Sequence, residues 1–202
     1  MCGIFGFSLI RDLNASDVDM GFEQLHSLSH RGPDGQGHAA FDEQGVFIGH
    51  CRLAIIDTSE RASQPMSRDR FTIAHNGEIY NFVELRRELE ALGHRFKSES
   101  DTEVILASYV QWGEECQFRF NGMWAFAIWD SQERTLFLSR DRFGVKPVFF
   151  MFDGRHFLFA SELKAFLALK SPMRPDFDSG MVALLTNREN IEKSLLKNVK
   201  NL

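Results

Sequence analysis

Two short stretches hold residues that could do chemistry together: Met1-Cys2-Gly3 at the head of the sequence and Asn76-Gly77 further along it. A cysteine directly after an initiator methionine becomes the N-terminal residue once an aminopeptidase removes Met1, because that enzyme acts before small residues. Thiol and free α-amine then belong to one residue. An α-amine titrates near ~7.7 and a free thiol near ~8.5, so the amine can take the thiol proton at neutral pH without help from a histidine. A thiolate that attacks a carbonyl carbon needs donors for the tetrahedral oxyanion, and a side-chain amide beside a glycine N–H offers two. Each stretch also has a plainer reading. Alone, Cys2 reads better as a buried cysteine opening a strand, and Asn-Gly more commonly marks a tight β-turn. Against the turn, Glu78-Ile79-Tyr80-Asn81 leads towards a helix and not back along a strand.

These residues need elements to hold them. Gly3 to Ile10 is a short apolar run suited to a buried strand, which fixes Cys2 at that strand's start. From Asp17, the residues Val18, Phe22, Leu25 and Leu28 recur at helical spacing, and Gly32-Pro33 ends the pattern. Strands are expected over 38–42, 46–56 and 71–75, the middle one with a bend. Asn81 with Glu84, and Ser100 with Glu103, have the capping-box spacing of two helix starts, the second helix running to Gly113. Hairpins follow, pairing 123–129 with 135–140 and 147–152 with 156–160, and then a short helix from Ser161 to Leu169. The continuous apolar run from Met123 to Trp129 suggests buried sheet. Strands and helices that group instead of alternating favour antiparallel sheets with helices outside, and this many strands suggests two sheets packed face to face.

Composition narrows the function. With 202 residues, 44% hydrophobic and 25% charged, the chain is expected to form one domain over 1–170, with 171–202 a linker or tail. A net charge of -5 argues against nucleic acid as a partner, since phosphate binding needs clustered Lys and Arg. No run nears the ~20 apolar residues of a membrane span, and no basic n-region of a signal peptide follows Met1, so no membrane and a cytoplasmic location are expected. Cys2, Cys51 and Cys116 lack metal-ligand spacing and are odd in number, so neither a zinc site nor a disulfide framework is supported.

The motifs taken in order are more specific. Met1-Cys2-Gly3-Ile4-Phe5-Gly6, His30-Arg31-Gly32-Pro33-Asp34, Arg52-Leu53-Ala54-Ile55-Ile56-Asp57, Asn76-Gly77-Glu78-Ile79-Tyr80-Asn81 and Ser100-Asp101-Thr102-Glu103-Val104-Ile105-Leu106 all stand in one chain. With Arg140-Asp141-Arg142-Phe143-Gly144-Val145-Lys146-Pro147, the sequence resembles the class II glutamine amidotransferases among the N-terminal nucleophile hydrolases, most of all the glutaminase domain of asparagine synthetases. The resemblance covers residues 1 to about 170. It implies an α+β fold, a four-layer αββα sandwich of two antiparallel sheets, and hydrolysis of the glutamine side-chain amide through a Cys2 thioester. It also implies roles. Asn76 and Gly77 match the oxyanion donors, and Arg52 the holder of the glutamine α-carboxylate, a task suited to a two-pronged guanidinium. Asp101 and Glu78 match residues near the α-ammonium, and the backbone of Leu53, Ala54, Ile55 and Ile56 lines the site.

The same resemblance sets expectations about partners. Glutamine is the substrate, and an ATP-pyrophosphatase synthetase domain or subunit would receive the ammonia. ATP and magnesium belong to that domain, so no cofactor is expected for these 202 residues, which contain no Ser-Gly-Gly-x-Asp-Ser phosphate loop. A homodimer is left open. Cys51 and Ala54 stand where family members often have Glu and Ser, and Val148-Phe149-Phe150 replaces the usual Leu-Tyr-Tyr. Two rival readings stay open on sequence: the same glutaminase serving an amino sugar or peptide acceptor, and an inactive module that buttresses a synthetase. Singly, the residues have bland alternatives: Asp101 as a helix-dipole partner, Arg52 as a surface arginine, His30 or Arg31 as a helix C-terminal cation.

Overall fold

A strand covered on both faces needs apolar side chains at every position, and the run Met123–Trp129 is such a strand. In the computed structural model, which describes residues 1–167, 174–186 and 193–202, this run lies at the heart of one of two sheets. The elements are β1 (Gly3–Leu9), α1 (Ala15–Ser27), β2 (Gly35–Phe41), β3 (Val46–Arg52), β4 (Met66–Arg68), β5 (Phe71–Ile79), α2 (Phe82–Ala91) and α3 (Asp101–Trp112). They continue with β6 (Gly122–Asp130), β7 (Thr135–Arg140), β8 (Phe149–Phe152), β9 (His156–Ala160), α4 (Lys164–Leu167), α5 (Phe177–Thr186) and β10 (Val199–Asn201). One sheet has the order β10-β8-β9-β1-β3-β2 and the other β4-β5-β6-β7, with neighbours antiparallel throughout.

Alternation along each strand builds the layers. On β1, Phe5 and Phe7 point outward to Leu25 of α1, to Leu28 just past its end, and to Phe166 of α4. Ile4 points the other way, into a middle layer shared with Ile48, Ala74, Ala125, Ala127 and Phe159. On β6, Trp124, Phe126 and Ile128 face the opposite outer layer, where Val104, Ile105 and Leu106 of α3 cover them. Helix, sheet, sheet, helix is the four-layer αββα sandwich that the sequence implied.

Local structure departs from expectation in ways that bear on the site. The strand expected over 71–75 runs on to Ile79, so Asn76 and Gly77 lie inside β5, opposite Ala125 and Trp124, and neither follow a strand nor form a turn. The strand expected to 56 leaves the sheet after Arg52, because Leu53 and Ala54 turn their N–H groups to the Cys2 sulfur and to Asp34 Oδ2. Asn81 makes no side-chain cap; it donates to Arg119 O and accepts from Asn121 N–H, tying α2 to the start of β6. Ser100 does cap α3, at Thr102 N–H, but Glu103 spends its carboxylate on the backbone N–H groups of Lys97 and Ser98. The capping box sits instead at Asn14 with Asp17, so α1 begins at Ala15.

β4, α5 and β10 were not foreseen, and β10 extends the six-stranded sheet at its β8 edge. The expected domain boundary at 170/171 and the last two residues of the expected helix Ser161 to Leu169 lie outside the described residues. Among the described residues no helix is long and apolar enough to cross a membrane.

Candidate active site

Cys2 stands immediately before β1, in the sheet that also contains β3, while Asn76 and Gly77 stand in the facing sheet. Between the two sheets at this end opens a cavity of about 270 Å3. Every residue to which the resemblance gives a role in the site borders it: Cys2, Arg52 with Leu53, Ala54, Ile55 and Ile56, then Asn76, Gly77 and Glu78, and Asp101. Chain segments far apart in sequence therefore meet at one point, where a molecule of modest size can be enclosed.

The Cys2 sulfur accepts the Leu53 N–H at 3.3 Å and lies 3.6 Å from Leu53 O. Its carbonyl accepts Arg31 Nε–H at 2.8 Å. In the sequence Arg31 reads as no more than a helix-end cation, and nothing in its spacing points to Cys2. Gly32 explains how its loop comes so close: a Cβ there would lie 2.4 Å from the Cys51 backbone carbonyl, so only glycine lets the loop press on β3.

Burial pushes the Cys2 thiol up, and the negative charge of Asp101 adds to the rise; the Leu53 hydrogen bond, the N-terminal charge and Arg31 pull the other way without cancelling it. Cys2 thus rests as a thiol, and an attack by its sulfur would first require loss of that proton. Cys51, pushed up to about 11 by burial, and Cys116, to about 12 for the same reason, are fully buried and unreactive.

Across the cavity, Asn76 is 1% exposed and its amide nitrogen has no hydrogen-bond partner. A buried donor left unpaired is costly, which makes it a group awaiting an acceptor. Gly77 is required beside it: a Cβ there would meet Met123 O at 2.1 Å and Trp124 Cα at 2.7 Å. Behind this pair, Gln64 accepts His75 N–H at 2.6 Å and donates to Thr102 Oγ1 at 3.2 Å, while His75 Nδ1 lies 3.1 Å from the same hydroxyl. Gln64, His75, Thr102 and Lys146 also border the cavity: Gln64 and His75 lie outside every motif, and the motifs that contain Thr102 and Lys146 carry no sign that these two side chains face it.

The charged residues have definite partners. Asp101, 5% exposed at the start of α3, accepts Ile79 N–H at 2.9 Å through one oxygen. Arg52 donates to Asp57 O at 2.6 Å and Ser59 O at 2.9 Å, so its guanidinium shapes the 53–59 loop as well as bordering the cavity. Asp57 in turn accepts Glu99 N–H at 2.8 Å, which joins that loop to the approach to α3. Among the described residues there is no group of side chains able to hold a metal ion.

A sandwich of this kind, with a thiol at the head of a central strand and amide donors on the facing sheet, defines the class of N-terminal nucleophile hydrolases. Within it, this chain belongs to the glutamine amidotransferase domain family, whose model matches residues 1–202. It is 45% identical over 172 residues to glutamine-hydrolysing asparagine synthetase 3 of Bacillus subtilis (strain 168), covering 83% of this chain and 28% of that protein. To asparagine synthetase 1 of the same organism it is 39% identical over 180 residues, covering 87% of this chain and 28% of the relative. The chain thus spans little more than a quarter of the length of these curated relatives. The solved structure of glutamine phosphoribosylpyrophosphate amidotransferase from B. subtilis, in complex with ADP and GMP, superposes with a TM-score of 0.67 at 27% identity, over 82% of this chain and 43% of that one.

Proposed function

We propose that this domain hydrolyses the side-chain amide of glutamine to glutamate and ammonia, with Cys2 as nucleophile. The observation that carries it is the facing pair: a thiol held by Leu53 N–H on one sheet, and on the other a buried, unpaired Asn76 amide nitrogen beside Gly77. Met1 is 56% exposed at the cavity, accessible to an aminopeptidase, and its removal converts the Cys2 amide nitrogen into a free amine.

In this reading the amine takes the thiol proton and Cys2 Sγ bonds to the glutamine Cδ. The carbonyl electrons move to the oxygen, which receives hydrogen bonds from Asn76 Nδ2 and Gly77 N–H. Collapse of the intermediate breaks the Cδ–N bond, and the ammonium of Cys2 gives its proton to the leaving nitrogen, so that ammonia departs. Water, deprotonated by the same amine, then attacks the thioester and releases glutamate with the thiol restored. Arg52 holds the α-carboxylate, and Asp101 with Glu78 the α-ammonium, which fixes the amide between thiol and donors.

The acceptor is read as a synthetase domain that makes asparagine, because the identity to asparagine synthetases, 45% and 39%, exceeds the 27% to the phosphoribosylpyrophosphate enzyme. ATP and magnesium are assigned to that domain. A glutaminase assay tests the core of the reading. Cys2→Ala should abolish glutamate release and leave the circular dichroism spectrum and thermal midpoint unchanged; turnover at the wild-type rate in that variant would overturn the assignment.

A further inference from the structure

Cys2 precedes the first strand, so the sheet holds it weakly. Two contacts fix it: Leu53 N–H on its sulfur at 3.3 Å and Arg31 Nε–H on its carbonyl at 2.8 Å. Arg31 is only 9% exposed, and its guanidinium is itself fixed by Glu162, which accepts from one terminal nitrogen at 2.8 Å while the other is buried without a partner. Glu162 follows Ser161, whose hydroxyl accepts Ile4 N–H at 3.0 Å and whose own N–H donates to Ile4 O at 2.9 Å. Residues 161 and 162 therefore grip the head of β1 twice, directly at Ile4 and through Arg31 at Cys2.

His30 Nε2 reaches the same Glu162 oxygen at 3.0 Å, and Lys164 Nζ lies 3.4 Å from the other oxygen and 3.0 Å from His30 Nδ1. A carboxylate among exposed cations contributes little to stability as a rule. Here one cation is buried and bonded to the nucleophile's own residue, which gives the carboxylate a different task.

We propose that Glu162 is a positioning residue for the nucleophile: by fixing the Arg31 guanidinium on the Cys2 carbonyl, it sets where the Cys2 thiol and amine stand in the cavity. The kinetic consequence rests on the glutaminase reading above; the geometric one does not. Removal of Met1 makes the anchor more important, because the residue then has no preceding peptide to hold it and can swing about its remaining bonds.

The test uses the processed chain and two variants: Glu162→Gln, which keeps an acceptor but removes the charge, and Glu162→Asp, which keeps the charge. Glutaminase kinetics, the thermal midpoint and the rate of alkylation by iodoacetamide at neutral pH are measured on each. Cys51 and Cys116 are buried, so alkylation reports Cys2. Glu162→Gln should lower kcat ~10-fold to ~100-fold with KM changed less than about twofold, the penalty of a reacting group misplaced by up to ~1 Å. Alkylation should slow in parallel, and Glu162→Asp should recover part of both rates. An unchanged kcat, or a loss matching only the unfolded fraction, would overturn the proposal. If the wild-type chain releases no glutamate, the functional reading fails, and alkylation decides: equal rates in wild type and Glu162→Gln overturn the positioning role, and a slower variant supports it.

Discussion

Replacing Asn76 by alanine separates a catalytic donor from a structural one, because the two roles predict opposite signs for stability. The Asn76 amide nitrogen is buried and unpaired in the resting protein. Truncation therefore breaks no hydrogen bond of that nitrogen, and it relieves a desolvation penalty of ~1–3 kcal/mol, partly offset by lost packing at the cavity wall. For a domain of this size ~1 kcal/mol moves the thermal midpoint by ~2–4 °C, so the midpoint should hold or rise slightly. The oxyanion exists only after attack, and there the missing donor is felt in full: kcat should fall ~10²–10³-fold, about 2.7–4 kcal/mol, with the Gly77 N–H supplying the residual rate. KM should stay within about threefold, since the donor acts in the transition state and not in substrate binding. Steady-state kinetics and a thermal melt on the same preparation decide. A midpoint lowered by more than ~5 °C, together with near-normal kcat per folded molecule, would show that Asn76 is a structural residue and not an oxyanion donor.

Arg52→Lys should raise KM for glutamine more than it lowers kcat, because a point charge replaces a two-pronged contact present from substrate binding onward; an effect confined to kcat would contradict the role given to it. Stability should decline on acidification through the window from about pH 6.5 towards 3, because burial holds His50 neutral and pushes it down to about 3 while the unfolded chain takes up a proton near 6.5. The loss from His50 is about 1.4 kcal/mol per pH unit. His75, also lowered by burial, adds to the loss, and denaturant titrations at pH 7, 6 and 5 should show a shallower slope in His50→Asn than in wild type.

What was legible in the sequence had a period or a motif. The double-faced burial of β6 appeared as an unbroken apolar run, and the outward Phe5 and Phe7 with inward Ile4 as an apolar start to the chain. The residues around the cavity could be gathered because they sit in ordered motifs, although Cys2 taken alone kept the bland reading of a buried cysteine opening a strand. Three kinds of feature were not legible. Long-range polar contacts leave no local pattern, so Arg31 on Cys2, Glu162 on Arg31 and Gln64 on His75 emerge only from the folded chain. Strand ends are fixed by partners: β5 continues through Asn76 and Gly77 because β6 offers it Ala125 and Trp124, against the turn preference of Asn-Gly. Caps are competed away, as at Asn81, whose side chain satisfies the 119–121 loop in preference to its own helix.

The two halves of the candidate site belong to different sheets, so the gap between thiol and amide depends on how the sheets are spaced. Two features set that spacing next to the site. Ala74, Ala125 and Ala127, all fully buried, are the β5 and β6 share of the middle layer nearest Asn76, and such small side chains allow a close approach of these strands to β1 and β3. His50 of β3, opposite Ile4 in the ladder, then reaches across with Nε2 to the carbonyl of His75 on β5 at 3.1 Å, one residue before Asn76. A carbonyl only accepts, so Nε2 holds the proton and Nδ1, buried without a partner, is the bare nitrogen. Protonating Nδ1 would place a charge between the sheets with nothing to accept its hydrogen, which is the physical source of the depressed His50 value. The same neutral histidine that ties the sheets thus makes the sandwich acid-sensitive beside the cavity.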